Sequence, residues 1–100
     1  MTRYFSILPL TAAPEVRSDA VATFIENGVI ETCRDVIPGF INGSLLQSRH
    51  DPSSACVLVE WRDEMAYEAW MNSPHRGGGK RLFDPPGRSH LYELVHRVDR

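Results

Sequence analysis

The stretch ACVLVEWRDEMAYEAWMN, residues 55–72, carries the clearest structural signal in the chain. Its first seven residues are almost continuously apolar, which predicts a strand over residues 55–61. Asp63 can cap the next segment, residues 64–72, in which Met65, Ala66, Ala69 and Trp70 repeat at helical spacing. A strand that is apolar throughout is expected to be buried on both faces, and the helices of so short a chain cover only one. The stretch therefore predicts a strand, a helix, and a second copy of the chain against the uncovered face.

The flanking segments add three further strands and one long helix. Residues 4–10, 40–48 and 90–98 are rich in apolar side chains and bounded by turn formers, so each predicts a strand. Residues 16–37 carry an apolar stripe at helical spacing, and Asn27-Gly28 inside it predicts a break. Residues 50–54 predict a hairpin turn, and the glycine-rich residues 75–88 predict a loop with one helical turn at residues 80–83.

The predicted order is β-α-β-β-α-β, which is a ferredoxin-like α+β fold built on one antiparallel sheet. At 100 residues, with 42% apolar and 24% charged side chains, we expect a single globular domain covering residues 1–100. Two such sheets, paired through their uncovered faces, would close a dimeric α+β barrel. A homodimer is therefore the predicted assembly.

Composition and charge argue against several classes of protein. The formal net charge of −2 gives no basic face for nucleic acid or a membrane surface, and no apolar run approaches the length of a membrane span. The first residues lack the pattern of a signal peptide. Cys33 and Cys56 have no metal-binding or redox spacing and are expected to be small buried side chains. We therefore expect a cytoplasmic protein that binds neither nucleic acid nor a membrane.

Charge is unevenly distributed along the chain. Residues 1–75 carry 5 basic and 10 acidic side chains, whereas residues 76–100 carry 6 basic and 3 acidic ones. Arg76, Lys80, Arg81 and Arg88 in the glycine-rich loop would either grip a phosphate or carboxylate or simply keep the loop soluble. The pattern alone leaves both interpretations open.

The familiar catalytic signatures are absent from the sequence. It has no GxSxG, HExxH, GxGxxG or paired CxxC motif, so an enzyme built on it is expected to need no cofactor and no metal. Three histidines, His50, His90 and His96, are scattered and are expected at the surface. His75 is different because it follows Ser73-Pro74 at a helix end, beside a glycine run that could move as a lid. Its imidazole would serve as a general acid or base, or else make a structural hydrogen bond.

Aromatic and polar side chains mark a candidate binding space between sheet and helices. Trp61 ends a strand, and Tyr67 and Trp70 follow on the next helix, so the three either line a cleft or pack as core. Polar side chains interrupt two strands, at Ser6 in the first and at Asn42 and Ser44 in the second. They would face either an open cavity or solvent.

PGF at residues 38–40 and VLVEWRDEMAYEAWMNSPHR at residues 57–76 carry a family resemblance. The chain resembles the antibiotic biosynthesis monooxygenase family of dimeric α+β barrels. The resemblance implies a homodimer with a cleft between sheet and helices. The family it points to includes cofactor-free oxygenases of aromatic polyketides. Trp61 matches the family tryptophan, and Asn42 stands near the polar strand residues that hold substrate oxygens.

The same resemblance brings in relatives that degrade haem, with which the chain agrees less well. Such members combine an Asn in the first strand, a Trp after the third and an axial His beyond the second helix. Here the first strand offers Tyr4 or Ser6, and residues 77–80 occupy the axial position. His75 comes about one turn too early, which disfavours haem degradation.

Together these features predict a cofactor-independent monooxygenase of a phenol, anthrone or quinol in secondary metabolism. Trp61 and Asn42 would orient the substrate, His75 would transfer the proton and Arg76 would hold the anion. Further substrate contacts are expected from Tyr4, Ser6, Ser44, Tyr67 and Trp70. Two alternatives stay open: a non-oxidative cyclase or isomerase using the same cleft, and a dimer that binds haem or a small molecule without catalysis.

Overall fold

A computed structural model describes residues 2–77 and 79–100. The elements are β1 (Tyr4–Thr11), α1 (Arg17–Glu26), α2 (Val29–Val36), β2 (Phe40–Gln47), β3 (Ser54–Trp61), α3 (Glu64–Met71) and β4 (His90–Glu93). The four strands form one sheet in the order β2-β3-β1-β4, and every neighbouring pair is antiparallel. The ferredoxin-like α+β fold expected from the sequence is confirmed.

The break in the long helix falls at Asn27-Gly28, as the sequence predicts. Asn27 closes α1, and Gly28 has φ +64°, a left-handed conformation in which a continuing helix cannot run. The cap of α3 is also confirmed, because Asp63 Oδ1 accepts a hydrogen bond of 2.8 Å from the backbone N–H of Ala66. The two helices α1 and α2 therefore take the place of one long helix.

Two predictions for the carboxyl-terminal quarter of the chain are wrong. β4 ends at Glu93 instead of residue 98, because Glu93 pairs with Tyr4, the first residue of β1. Beyond that pair, the N–H of Leu94 donates to the carbonyl of Arg3, which precedes β1, and the described residues continue no further as a strand. Residues 80–83 form no helical turn, since contacts with other elements hold this segment.

The core lies on one face of the sheet and divides into two clusters. Because side chains alternate along a strand, Ala55, Val59 and Trp61 of β3 face the helices together. Val59 and Trp61 pack with residues of α2 and α3 in the first cluster. Ala55 packs with Leu10, α1 and Phe83 in the second cluster.

No helix covers the opposite face of the sheet in the part of the chain that the structure describes. Register places Phe5 and Ile7 of β1 beside Glu60 and Leu58 of β3 on this face. Its rim carries Leu46 and Tyr92, which are 46% and 55% exposed. We call this surface the uncovered face.

Candidate functional site

A cavity of about 360 Å³ lies between the sheet and the helices, where the two core clusters meet. Its floor comes from β1 and β3, and its sides come from the three helices. The walls are mainly apolar and aromatic, including Leu8, Leu10, Phe24, Val57, Trp70 and Phe83. This size is at the lower end of the range of about 300–1,000 Å³ for ligand pockets, so the cavity suits a small molecule.

The described part of the segment between α3 and β4 passes over this cavity, and we call residues 76–77 and 79–86 the covering loop. Its start is held by Arg76, whose Nη1 donates to the carbonyl of Met71 at 3.1 Å. Its middle is held by Asn27, whose Nδ2 donates to the carbonyl of Lys80 at 2.6 Å. The loop is therefore tied to the ends of both α3 and α1.

The far end of the covering loop is anchored in the core and on β1. Phe83 is 5% exposed and meets Phe24 edge to face, with ring centroids 6.4 Å apart. The N–H of Asp84 donates to the carbonyl of Thr11 at 2.8 Å. These contacts explain why a segment without regular secondary structure closes over the cavity.

The polar side chains around the cavity are concentrated in the covering loop and beside it. Asn27 and Ser73 line the cavity with three cations, Arg76, Lys80 and Arg81. Among the described residues, no Asp, Glu or His belongs to the lining. The site therefore joins an apolar interior to a positively charged mouth.

Of the site residues predicted from the sequence, Trp70 and Arg76 line the cavity. Trp70 is 7% exposed and forms part of the wall. His75 lies in sequence between the lining residues Ser73 and Arg76, but it is itself exposed and outside the lining. The His75 imidazole therefore does not line the cavity.

Trp61, Ser6 and Tyr67 lie away from the cavity, in the core next to it. Trp61 is fully buried, and its Nε1–H donates to Ser6 Oγ at 2.9 Å. Tyr67 meets Trp61 edge to face, and its hydroxyl hydrogen-bonds Ser89. Tyr4 pairs with Trp61 across β1 and β3 and packs against the same cluster. The polar groups of Trp61, Ser6 and Tyr67 therefore hydrogen-bond within the protein. These side chains pack in the core and do not line the cavity.

Asn42 lies on the uncovered face, not in the cavity. A β-bulge lies between Phe40, which pairs with Trp61, and Asn42, which pairs with Glu60. The extra residue reverses the alternation of side chains, so Asn42 and Phe40 lie on opposite faces of the sheet. Its Nδ2 donates to Glu60 Oε1 at 2.9 Å. Ser44 follows on the same strand and borders a shallower groove between β2 and the helices.

A family relationship is visible at this point from comparison with known proteins. Residues 10–80 match the family model described as antibiotic biosynthesis monooxygenase. The chain belongs to the antibiotic biosynthesis monooxygenase family. No curated protein matches the chain.

Solved structures share the fold of this antibiotic biosynthesis monooxygenase family member over nearly its whole length. The haem degrader MhuD of Mycobacterium tuberculosis, solved with two haems in its active site, has a TM-score of 0.75 at 18% identity and covers 96% of this chain and 99% of its own. A Bacillus cereus protein described as a candidate antibiotic biosynthesis monooxygenase has a TM-score of 0.72 at 20% identity, with 100% of both chains covered. A corresponding Nitrosomonas europaea protein has a TM-score of 0.70 at 15% identity and covers 97% and 94%. At these identities the similarity shows the fold.

Several residues of this family member's cavity carry no signal that sequence reasoning could have used. Leu8, Leu10 and Val57 are ordinary apolar strand residues and look the same as core. Asn27 is visible only as a helix terminator, although it also anchors the covering loop. Lys80 and Arg81 were visible as basic loop residues, but their place at the mouth depends on the loop's path.

Metal and thiol chemistry receive little support from the described residues. In residues 2–77 and 79–100, no group of three or more His, Cys, Asp or Glu side chains is placed to hold a metal ion. Burial raises the pKa of the Cys33 thiol to about 12, so it stays protonated and unreactive. Cys56 is a free thiol on the uncovered face and is only partly buried, whereas the sequence predicted burial for both. Within the described part of this family member, no helix is long and apolar enough to cross a membrane.

Proposed function

We propose that the chain is a cofactor-independent monooxygenase that oxidises an electron-rich aromatic molecule of secondary metabolism, of phenol, anthrone or quinol type. The observation that carries this proposal is the cavity itself, with apolar walls, a cationic mouth and an anchored covering loop. Phe24 and Trp70 provide flat surfaces for a ring system. Membership of the antibiotic biosynthesis monooxygenase family adds support.

The chemistry of such a reaction needs only the substrate and molecular oxygen. An activated CH₂ group of an anthrone loses a proton, and the resulting anion passes one electron to O₂. The carbon radical and superoxide then combine, and protonation gives a hydroperoxide. Loss of the second C–H proton and cleavage of the O–O bond leave a carbonyl group and water. The four electrons that reduce O₂ come from the two C–H bonds of the substrate's CH₂ group, so no other reductant enters.

The protein's part in this scheme is to exclude water, orient the rings and stabilise the anion. Arg76 is the proposed partner of the anion, because it lines the mouth. His75 is the proposed proton acceptor, since it is the histidine next to lining residues in the chain. Trp70 and Phe24 would hold the rings, and this proposal assigns no substrate contact to Trp61 and Asn42 because they do not line the cavity.

An oxygen electrode tests the proposal with the purified protein and a dihydroxyanthracene-type substrate. We expect oxygen uptake, and we expect Val29→Phe to abolish it because Val29 lines the cavity. Val36→Phe is the matched control, since Val36 lies in the same helix, is 36% exposed and does not line the cavity. Full activity in both variants would place the reaction elsewhere. A His75→Ala variant with an unchanged rate would remove the role assigned to His75.

Turnover without oxygen and haem titration of the same purified protein distinguish the alternatives. Turnover that persists without oxygen would replace the monooxygenase by a cyclase or isomerase. A change in haem absorbance on titration, without any turnover, would indicate a haem-binding protein. Haem iron in proteins is usually held by His, Cys, Met or Tyr, and none of these is among the described residues that line the cavity. The residues present therefore do not fit haem as a ligated group.

The uncovered face supports a homodimer as part of this proposal. Its apolar residues include the partly exposed Phe5, Ile7 and Leu58 in the centre and the exposed Leu46 and Tyr92 at the rim, while the Glu60 carboxylate on the same face is buried beside Arg97. A second copy presents the same surface, so a twofold pairing buries both.

The oligomeric state tests the dimer directly. Leu58→Glu should convert the dimer to a monomer in light-scattering measurements, because it places a charge in the middle of the uncovered face. Met65→Glu, on an exposed position of α3, should leave the mass unchanged. A monomeric wild-type protein would overturn the dimer.

A further inference from the structure

The mouth of the cavity shows an uncompensated concentration of positive charge. Arg76, Lys80 and Arg81 all line it, and no carboxylate belongs to the described lining. The ion pairs found among residues 2–77 and 79–100 involve Arg34, Arg62 and Arg97, and none involves these three cations. The carboxylate of the same loop, Asp84, accepts a hydrogen bond from Thr11 at 3.2 Å and is not in the lining. Like charges in one short loop repel each other, so a bound anion beside these cations is favoured.

The position of these charges is built into the fold. The backbone at Lys80 is fixed by Asn27, and the guanidinium of Arg76 is fixed at the end of α3 by the Met71 carbonyl. Phe83 and the Asp84 N–H anchor the residues that follow. The Arg76 guanidinium and the backbone at Lys80 are therefore held beside the apolar walls that these residues line.

The distribution of polarity indicates what the ligand looks like. The walls offer apolar and aromatic side chains, and the three cations are exposed residues of the covering loop. A neutral ring system would fill the interior and leave the cations unpaired, whereas a free inorganic anion would leave the apolar walls wet. A molecule with both parts satisfies both regions.

We propose that the mouth is an oxyanion subsite, and that the natural ligand is an aromatic molecule bearing a carboxylate or an ionised hydroxyl at one end. The inference rests on the proposed function, since it describes the substrate of the same cavity. The cations promote ionisation of a bound phenol because they stabilise its anion. The described lining has no Asp or Glu to oppose this effect and no His. The released proton leaves through the mouth to His75 or to water.

Binding measurements without turnover test the carboxylate form. 1-Naphthoate should bind about ten-fold more tightly than neutral 1-naphthamide at low salt, and the difference should shrink at about 0.5 M salt. Arg81→Gln should remove most of this preference while leaving naphthamide binding unchanged. Arg88→Gln is the matched control, because it removes the same charge from the same connecting segment but does not line the cavity.

A chromophoric phenol tests the phenolate form. The absorbance of bound 4-nitrophenol reports its ionisation, and its pKa should be about one lower in the wild-type protein than in solution or in Arg81→Gln. A lowered pKa of bound 4-nitrophenol without tighter binding of naphthoate would assign the subsite to phenolates. Tighter binding of naphthoate with an unshifted nitrophenol pKa would assign it to carboxylates.

The outcomes separate this inference from the proposed function. Equal binding of naphthoate and naphthamide with an unshifted nitrophenol would overturn the subsite and leave the monooxygenase proposal standing. Equal effects of Arg81→Gln and Arg88→Gln would also overturn it, because the preference would then come from the general charge of the chain. Failure of all three aromatic probes to bind would overturn both proposals.

Discussion

The covering loop should open when a methyl group is added at Gly79. This residue has φ +88°, and a Cβ there would stand 2.7 Å from both Cγ and Oδ1 of Asn27. A left-handed conformation costs an L-residue about 1–2 kcal/mol, and losing the hydrogen bond from Asn27 to Lys80 costs about 1 kcal/mol more. Gly79→Ala should therefore destabilise the closed loop by roughly 2–3 kcal/mol, which raises its open population about 30- to 160-fold.

Hydrogen exchange of the Asp84 amide measures this opening, because that N–H is bonded to Thr11 only while the loop is closed. Exchange should accelerate by the same factor, whereas the melting temperature should change little, since the loop can open without global unfolding. The affinity for an aromatic ligand should fall by up to that factor.

Three companion variants divide the effect into its causes. Gly77→Ala has a similar φ of +81° but only Arg81 Nη2 nearby, at 3.7 Å, so it should show the conformational part alone, about 5- to 30-fold. Gly87→Ala meets nothing within 4 Å and should be neutral. Adding Asn27→Ala to Gly79→Ala should cost nothing further, because the contact is already lost. Exchange in Gly79→Ala no faster than in Gly87→Ala would refute the reasoning.

Three further perturbations probe the framework around the cavity. Arg17 Nη1 donates to three carbonyls of the β2–β3 turn at 2.9–3.1 Å. Arg17→Met should therefore lower the free energy of unfolding, measured in urea, by about 1–3 kcal/mol. A loss no larger than that of the control Arg34→Met would contradict this. Ser6→Ala leaves the buried Trp61 N–H without its partner and should cost about 1–3 kcal/mol; strict additivity with Trp61→Phe would show that the two side chains are not coupled. In Cys56→Ser protein, the Cys33 thiol should react with a disulfide reagent only on unfolding. Because folding raises the pKa of Cys33 from 9.0 to about 12, the stability it contributes is complete below pH 9.0 and declines as the pH rises towards 12; urea titrations of Cys33→Ala should lack this part of the decline.

The elements that depend on nearby residues were predictable from the sequence. The α3 cap joins Asp63 to Ala66, and the helix break depends on Gly28 itself, so both signals lie within a few residues of their effect. The length of β4 depends instead on where β1 begins, and β1 is more than eighty residues away. No local pattern in residues 90–98 contains that information.

The site was harder to predict because its residues owe their positions to distant partners. The Trp61 indole resembles a free donor at a strand end, yet Ser6, 55 residues earlier, satisfies it. Asn42 would share the side of Phe40 by simple alternation, and one bulged residue places it on the other. Trp70 and Arg76 line the cavity because helix periodicity and the end of α3 aim them at the space beside the sheet.

The cavity's volume itself argues that it is a site. A dry void of 360 Å³ would cost about 9 kcal/mol at ~24 cal/mol per Å³, which is as large as the whole stability of a typical domain, about 5–15 kcal/mol. The space must therefore be open to water or to a ligand, and the covering loop lies over it. Filling it should stabilise the protein and remove binding together, because Val57, which packs against both core clusters, lines the space that would be filled. Val29→Phe should accordingly raise the melting temperature while abolishing naphthoate binding, with Val36→Phe doing neither. A destabilised Val29→Phe protein that still binds would show that the cavity has no room at this wall and that the ligand lies elsewhere.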